Sequence, residues 1–228
     1  KEHADIVELF GFDTGRFLSD LSALPHGHET RQVTEDRTET VSWIETPKGR
    51  IEQLAYYSKS QQLSMVRKHW VEAPGDLEKV LSLPDTPVRP DLSSYLACRE
   101  AIGARGLCVP EIPNAISFVH DLLGTEGLAI WSREERSTVI QLTERFNARL
   151  ESHLRYLLDH GVGPVLALLG EEYITPPMHS PKDFHEFVVP YDRRLVEMIH
   201  ARGSLCRIHC HGRIGSLERG KDADLVVW

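Results

Sequence analysis

The stretch that decides the fold begins Pro164-Val165-Leu166-Ala167-Leu168-Leu169-Gly170-Glu171-Glu172-Tyr173. It runs on through Ser180-Pro181-Lys182-Asp183-Phe184 and closes at Ser204-Leu205-Cys206-Arg207-Ile208-His209-Cys210-His211-Gly212. The two apolar runs have the length of buried strands. Between them Ser180 is a good N-cap, Pro181 suits the first helical position, and Asp183 favours the positive end of the helix dipole. Phe184, Phe187, Val188, Tyr191, Leu195, Met198 and Ile199 recur at helical spacing, Gly203 is placed to end the helix, and Pro190 inside the run predicts a kink. Two strands joined by one helix are expected to lie side by side and parallel, which brings Glu171, Glu172, His209 and His211 to one rim. Side chains alternate along a strand, so His209 and His211 share a face and can grip one metal ion, while Cys210 takes the other face.

Working outward, the same alternation of strand and helix continues upstream. The spacing predicts a helix over 92–105, a short strand over 106–109, and a helix over 112–123 ended by Gly124. Ser132-Arg133-Glu134-Glu135 reads as a capping box opening a long helix whose stripe is Val139, Leu142, Phe146, Leu150, Leu154 and Leu157, with Gly161 as its stop. Thr38–Ile44 and Arg50–Tyr57 are β-prone runs around Thr46-Pro47-Lys48-Gly49, a hairpin signature, and Met65–Val71 is a candidate third strand. Pro74 starts a short helix through Leu83, and Leu83–Pro90 is a Pro-rich linker. The first 35 residues show no clear period. The pattern is that of an α/β fold with parallel strands and a small antiparallel hairpin near the N-terminus, whose ligands gather at the strands' carboxyl ends.

Bulk properties narrow the function. A chain of 228 residues with 41% hydrophobic content can bury a full core. Its net charge of −8 and the lack of a basic stripe argue against a nucleic-acid surface. No apolar run approaches the ~18 residues of a membrane span, so a cytoplasmic protein is expected. The four cysteines show neither metal-ribbon spacing nor disulfide-scaffold density, and reduced thiols are the better reading.

The run Ser180–Tyr191, the helix, Gly203, the short strand and His209-Cys210-His211-Gly212 resemble the uroporphyrinogen decarboxylase superfamily. Thr46-Pro47-Lys48-Gly49, Glu72-Ala73-Pro74-Gly75-Asp76-Leu77 and Phe118-Val119-His120-Asp121-Leu122-Leu123-Gly124 add to the likeness, which covers roughly residues 35–213. The resemblance implies a (β/α)8 barrel of TIM type over residues 1–213, incomplete because the last strands are lacking. It leans toward the zinc-dependent cobamide methyltransferases, which carry a His-x-Cys-Gly strand end. His209 matches the His, and His211 stands where those enzymes have Cys, a replacement that keeps a zinc ligand. No cysteine follows Cys210, so the third ligand is expected from Glu171 or Glu172. The arginine and aspartate motifs of the decarboxylase are not found. Residues 214–228 are similar to the C-terminal turn and strand of amidohydrolases, as though two genes had been joined.

The resemblance implies zinc held by His209, His211 and Glu171, and a methyl group arriving on a corrinoid carried by a partner protein. Zinc would lower the pKa of a small substrate's thiol or alkoxide and present it to that methyl group. Glu171, Glu172 and Tyr173 are the candidate catalytic residues. His179, in the covering loop, Glu111, read as a strand-end residue like Glu171, and Arg213 are candidate cofactor or substrate contacts. A metal-free tetrapyrrole lyase, and an inactive fragment or binding module, remain as alternatives. The sequence leaves the oligomeric state open, a homo-oligomer included.

Overall fold

The computed structural model describes residues 26–210. Two sheets and a helical layer share one core. The first sheet is antiparallel, with strands in chain order: β1 (His26–Gln32), β2 (Arg37–Thr46), β3 (Gly49–Ser58) and β4 (Leu63–Lys68). The β2–β3 hairpin forms as the sequence predicts, with Thr46 opposite Gly49 and the Thr46 hydroxyl donating to the Gly49 carbonyl at 2.7 Å. Met65 and its neighbours join as β4, although the strand starts earlier and stops at Lys68. β1 is a strand that the sequence hides, since His26–Gln32 is polar on both faces. Backbone pairing to β2, a Thr30–Thr40 hydroxyl contact of 3.0 Å and an Arg31–Glu39 ion pair hold it.

Helix α1 (Pro74–Leu81) packs under β3, and Ile44, Ile51, Trp70, Val71 and Val80 carry the core from this sheet into the rest of the chain. α2 (Ser93–Ile102) follows the Pro-rich segment. The second sheet is parallel, in the order β5 (Glu111–Pro113), β6 (Val165–Leu169), β7 (Leu205–His209). The strand expected over 106–109 lies further on, because pairing with β6 begins only where the Pro110 carbonyl accepts from Ala167 N at 2.8 Å.

The long helices are α3 (Ala115–Glu134) and α4 (Arg136–Asp159), whose Phe118 and Phe146 rings stack at 5.4 Å. Gly124 bends α3 rather than ending it. Its φ of 72° suits glycine, and a Cβ there would lie 2.3 Å from the His69 ring. Since α3 runs through Ser132, that hydroxyl donates back to the Ala129 carbonyl at 3.0 Å, and α4 starts at Arg136 without the expected capping box. The apolar stripe of α4 is buried from Val139 to Leu157 as read. Ser180 and Asp183 do form a capping box, opening α5 (Pro181–Phe187). Pro190 produces a break instead of a kink, and a separate α6 (Val189–His200) leads into β7.

The fold expectation is therefore met only in part, and the barrel is not shown. Among the described residues the fold is a mixed helix and strand structure with three parallel strands, and no closed barrel is found. β5 pairs over three residues, and β7 leaves Leu205 55% and Ile208 46% exposed, so neither edge is closed by another described strand. No described helix is long and apolar enough to cross a membrane. His211, Arg213, the boundary at residue 213 and the amidohydrolase-like tail lie outside the described residues.

Candidate active site at the carboxyl ends of the parallel strands

The three parallel strands end in register. Pro113 of β5 stands beside Leu169 of β6, which stands beside His209 of β7. The residues that follow, Asn114 and Gly170-Glu171, form the floor of a rim.

Asn114 is placed by four bonds. Its backbone N–H donates to the Leu169 carbonyl at 2.8 Å, and its side-chain oxygen caps α3 by accepting from the Ser117 N–H at 3.2 Å and hydroxyl at 2.8 Å. Its amide nitrogen then donates to Asp192 of α6 at 3.4 Å. Gly170 makes this crowding feasible. At φ 109° it turns the chain out of β6, and a Cβ at that position would lie 1.7 Å from the Ser117 hydroxyl. The turn drives Glu171 inward, where it is 2% exposed.

Glu171 meets Asp192, which is 7% exposed. Neither Glu171 oxygen accepts a hydrogen bond from an ordinary donor, while its carboxyl contacts that of Asp192. Burial pushes the Glu171 carboxyl far above the ordinary range, and the Asp192 and Glu172 charges add to the push. Burial raises Asp192 as well, against the Asn114 amide and the Glu171 carboxyl, which favour its anion. Two carboxyls in contact away from water cannot both ionise, so the pair retains a proton. Cys206 of β7 belongs to the same cluster: burial first, then the two carboxyls, push its thiol up to about 12 and keep it neutral.

His209 faces a different way. Its Nδ1 lies 3.3 Å from Arg207 Nη2, two residues back on the same face of β7, whereas Cys206 has the opposite parity. Glu111, Ala167 and Arg207 form a row across the sheet on that face. Glu111 thus opens β5 instead of standing at its end, is exposed, and leaves the rim position to Asn114. Glu172 is half-buried, and one of its oxygens is buried without a hydrogen bond. Tyr173 stacks on His120 at 3.9 Å and 13°, with its phenol raised by burial and by Asp121 and Glu172. His179 is 4% exposed, and burial lowers its pKa; its charged neighbours are Asp183 and Arg133, not the Glu171–Asp192 pair.

The structure therefore brings together Glu171, Asp192, Asn114 and Ser117, with Cys206 deeper along β7 within the field of the two carboxyls, sets Glu172 and Tyr173 beside them in one turn, and separates Glu111 and His179 from them. Asp192, Asn114 and Cys206 were missed in the sequence. A signal for Asp192 existed: Val188, Asp192, Leu195 and Ile199 form one helical face, so an acid stands on an apolar stripe. Among the described residues no group of three or more His, Cys, Asp or Glu side chains is placed to hold a metal ion. The buried Glu171 oxygens, short of donors, fit one position of such a site, and the described donors do not complete it.

A scan against protein-family models finds no match, and no curated protein matches the chain. Among solved structures the chain is similar to a methyltransferase from Methanosarcina mazei, at 15% sequence identity and a TM-score of 0.47. The likeness covers 66% of this chain and 44% of that one, so the chain spans less than half the length of that methyltransferase.

Proposed function

We propose that this chain is a methyltransferase-like enzyme of the uroporphyrinogen decarboxylase type, whose parallel strands are an arc of a (β/α)8 barrel. On this reading it moves a methyl group from a corrinoid carried by a partner protein to the thiol or alkoxide of a small molecule. The observation that carries the reading is the convergence of Asn114 and Glu171, at the carboxyl ends of the adjacent parallel strands β5 and β6, on Asp192 of α6, with Glu171 and Asp192 lying in the stretch that also bears the superfamily-like motif. The four free cysteines agree with a reducing cytoplasmic setting.

The chemistry of the residues follows from their environment. A nucleophile that accepts a methyl group must first lose a proton, and the Glu171–Asp192 pair is a buried acid–base couple able to hold it. Asn114 fixes the orientation of Asp192, so that the shared proton lies toward Glu171. Gly170 and Ser117 hold the turn that presents Glu171. Zinc, when bound by His209 and His211, would supply Lewis acidity to the substrate's thiol or alkoxide, while Glu171, which His209 faces away from, would stay in the proton-holding pair with Asp192.

The test uses the full chain with methylcobalamin and a small alkyl thiol. The expected result is thiol-dependent demethylation of the corrinoid, with one zinc per chain that the His209→Ala, His211→Ala double variant loses. A chain that binds no zinc under reducing conditions and leaves methylcobalamin intact overturns the reading. Decarboxylation of an acidic tetrapyrrole by the same preparation would assign the lyase chemistry instead.

A further inference from the structure

Two of the four free cysteines have no part in the rim. Cys98 is half-buried on α2, and Cys108, 3% exposed, lies in the segment that leads into β5; their sulfurs are 3.9 Å apart. We propose that Cys98 and Cys108 form a thiol modification site, closing reversibly to a disulfide by exchange with a small-molecule disulfide of the glutathione class.

The geometry favours this pair. A disulfide needs its sulfurs about 2 Å apart, so rotation of two side chains and a slight shift of one segment close the remaining gap. α2 is the fixed partner. Its Tyr95 hydroxyl donates to the Gly163 carbonyl at 2.9 Å and accepts from the Gly163 N–H at 3.1 Å, and Arg99 bonds the Gly161 carbonyl. The adaptable partner is the connector, since Gly103 to Leu107 are all exposed and no strand pairing fixes them. Cys206, by contrast, is held neutral by burial beside two carboxyls, which makes it a poor attacking group.

The exchange has two steps, and its atoms and electrons balance. The Cys98 thiolate attacks one sulfur of the small disulfide, forming a Cys98 mixed disulfide and releasing one small thiolate, which takes up a proton. Cys108 then gives its proton to solvent and attacks Cys98 Sγ, expelling the second small thiolate. Two protein thiols are oxidised, and one small disulfide is reduced to two thiols. Cys98 reacts first because it is the more exposed, and burial raises the Cys108 thiol. The product ties α2 to the approach of β5, the strand that places Asn114.

The experiment treats the full chain with oxidised glutathione, alkylates the remaining thiols and maps the peptides by mass. The expected species is a Cys98–Cys108 linked peptide lighter by two hydrogens, with Cys206 and Cys210 alkylated, and a reductant reverses it. In Cys108→Ser the glutathione adduct stays on Cys98, and in Cys98→Ser Cys108 remains unreacted. A stable Cys98 adduct in the unmutated chain, no linked peptide, or linkage to Cys206 or Cys210 overturns the proposal. Should either variant fail to fold, the map of the unmutated chain decides alone.

Discussion

At the scale of single residues, Glu171 is where sequence and structure part most informatively. Its position after an apolar strand was legible, and so was its acidity; its burial against Asp192 was not, because that contact joins residues far apart in the chain. The contact has a consequence for stability. Both carboxyls have folded-state pKa values raised above their unfolded values, so the folded chain binds more protons than the unfolded one as pH climbs. The stabilisation is therefore complete below the ordinary carboxylate range and is lost as pH rises toward the folded value, at up to about 1.4 kcal/mol per pH unit for each such group. Glu171→Gln removes one acid and keeps the shape. In a chelator, urea unfolding of the unmutated chain is expected to weaken from about pH 5 to about pH 8, and the variant to weaken less. Equal slopes for the two chains would mean that Glu171 is ionised in the fold.

At the scale of elements, legibility followed local chemistry. The β2–β3 hairpin, the α4 stripe and the α5 cap were read correctly because each is written in a few neighbouring residues. β1 was invisible because its seven residues are mostly exposed and are held by pairing to β2, a relation that no periodicity records. The start of α4 differs from the expectation because Gly124 bends α3 without ending it, so that helix runs on past Ser132; His69, distant in sequence, packs where a Cβ at Gly124 would stand. The α5 cap carries a prediction of its own. Burial alone would raise Asp183; bonds from the Ser180 N–H and hydroxyl and from Arg136 outweigh it and bring the carboxyl down to about 2. Here the stabilisation is present above the ordinary aspartate pKa and is lost as pH falls through about 2. Asp183→Ala breaks the capping box and leaves Glu186 as the carboxylate that Arg136 pairs with, beside its bond to the Ser132 carbonyl, at an expected cost of about 1 kcal/mol in urea unfolding at neutral pH. A loss indistinguishable from zero would show that Arg136 and Glu186 hold α5 without the cap.

At the scale of the whole molecule, the antiparallel sheet and α1 must be joined to the long helices, and much of that joint is the Pro-rich segment. Prolines remove donors, so the segment's carbonyls depend on donors from elsewhere. α4 supplies them from a polar stripe beside its apolar one. Arg145 donates to the Leu81 and Leu83 carbonyls at 2.9 and 2.7 Å, Arg149 to the Thr86 carbonyl at 3.0 Å, and Tyr156 to the Pro90 carbonyl at 2.9 Å, while His153 Nδ1 lies 3.2 Å from the Val88 carbonyl. The residues recur three and four apart, which is why one helical face can serve a whole extended segment. Arg149 is the centre of this strap. Its side chain is 3% exposed and also pairs with Asp85, whose own side chain is 72% exposed. Removing Arg149 leaves a buried gap and a carbonyl without its donor, whereas Asp85 is already hydrated and loses little. Arg149→Ala is therefore expected to cost about 2 kcal/mol, from the packing and the unmet acceptor more than from the ion pair. Asp85→Ala, which deletes the pair and keeps the buried guanidinium on Thr86, is expected to cost well under half of that. Limited proteolysis should then show faster cleavage between Leu83 and Pro90 in the Arg149 variant, ahead of global unfolding, because the strap loosens while the α3–α4 core remains. Equal losses in the two variants would mean that the ion pair, rather than the carbonyl bond, binds the segment to α4.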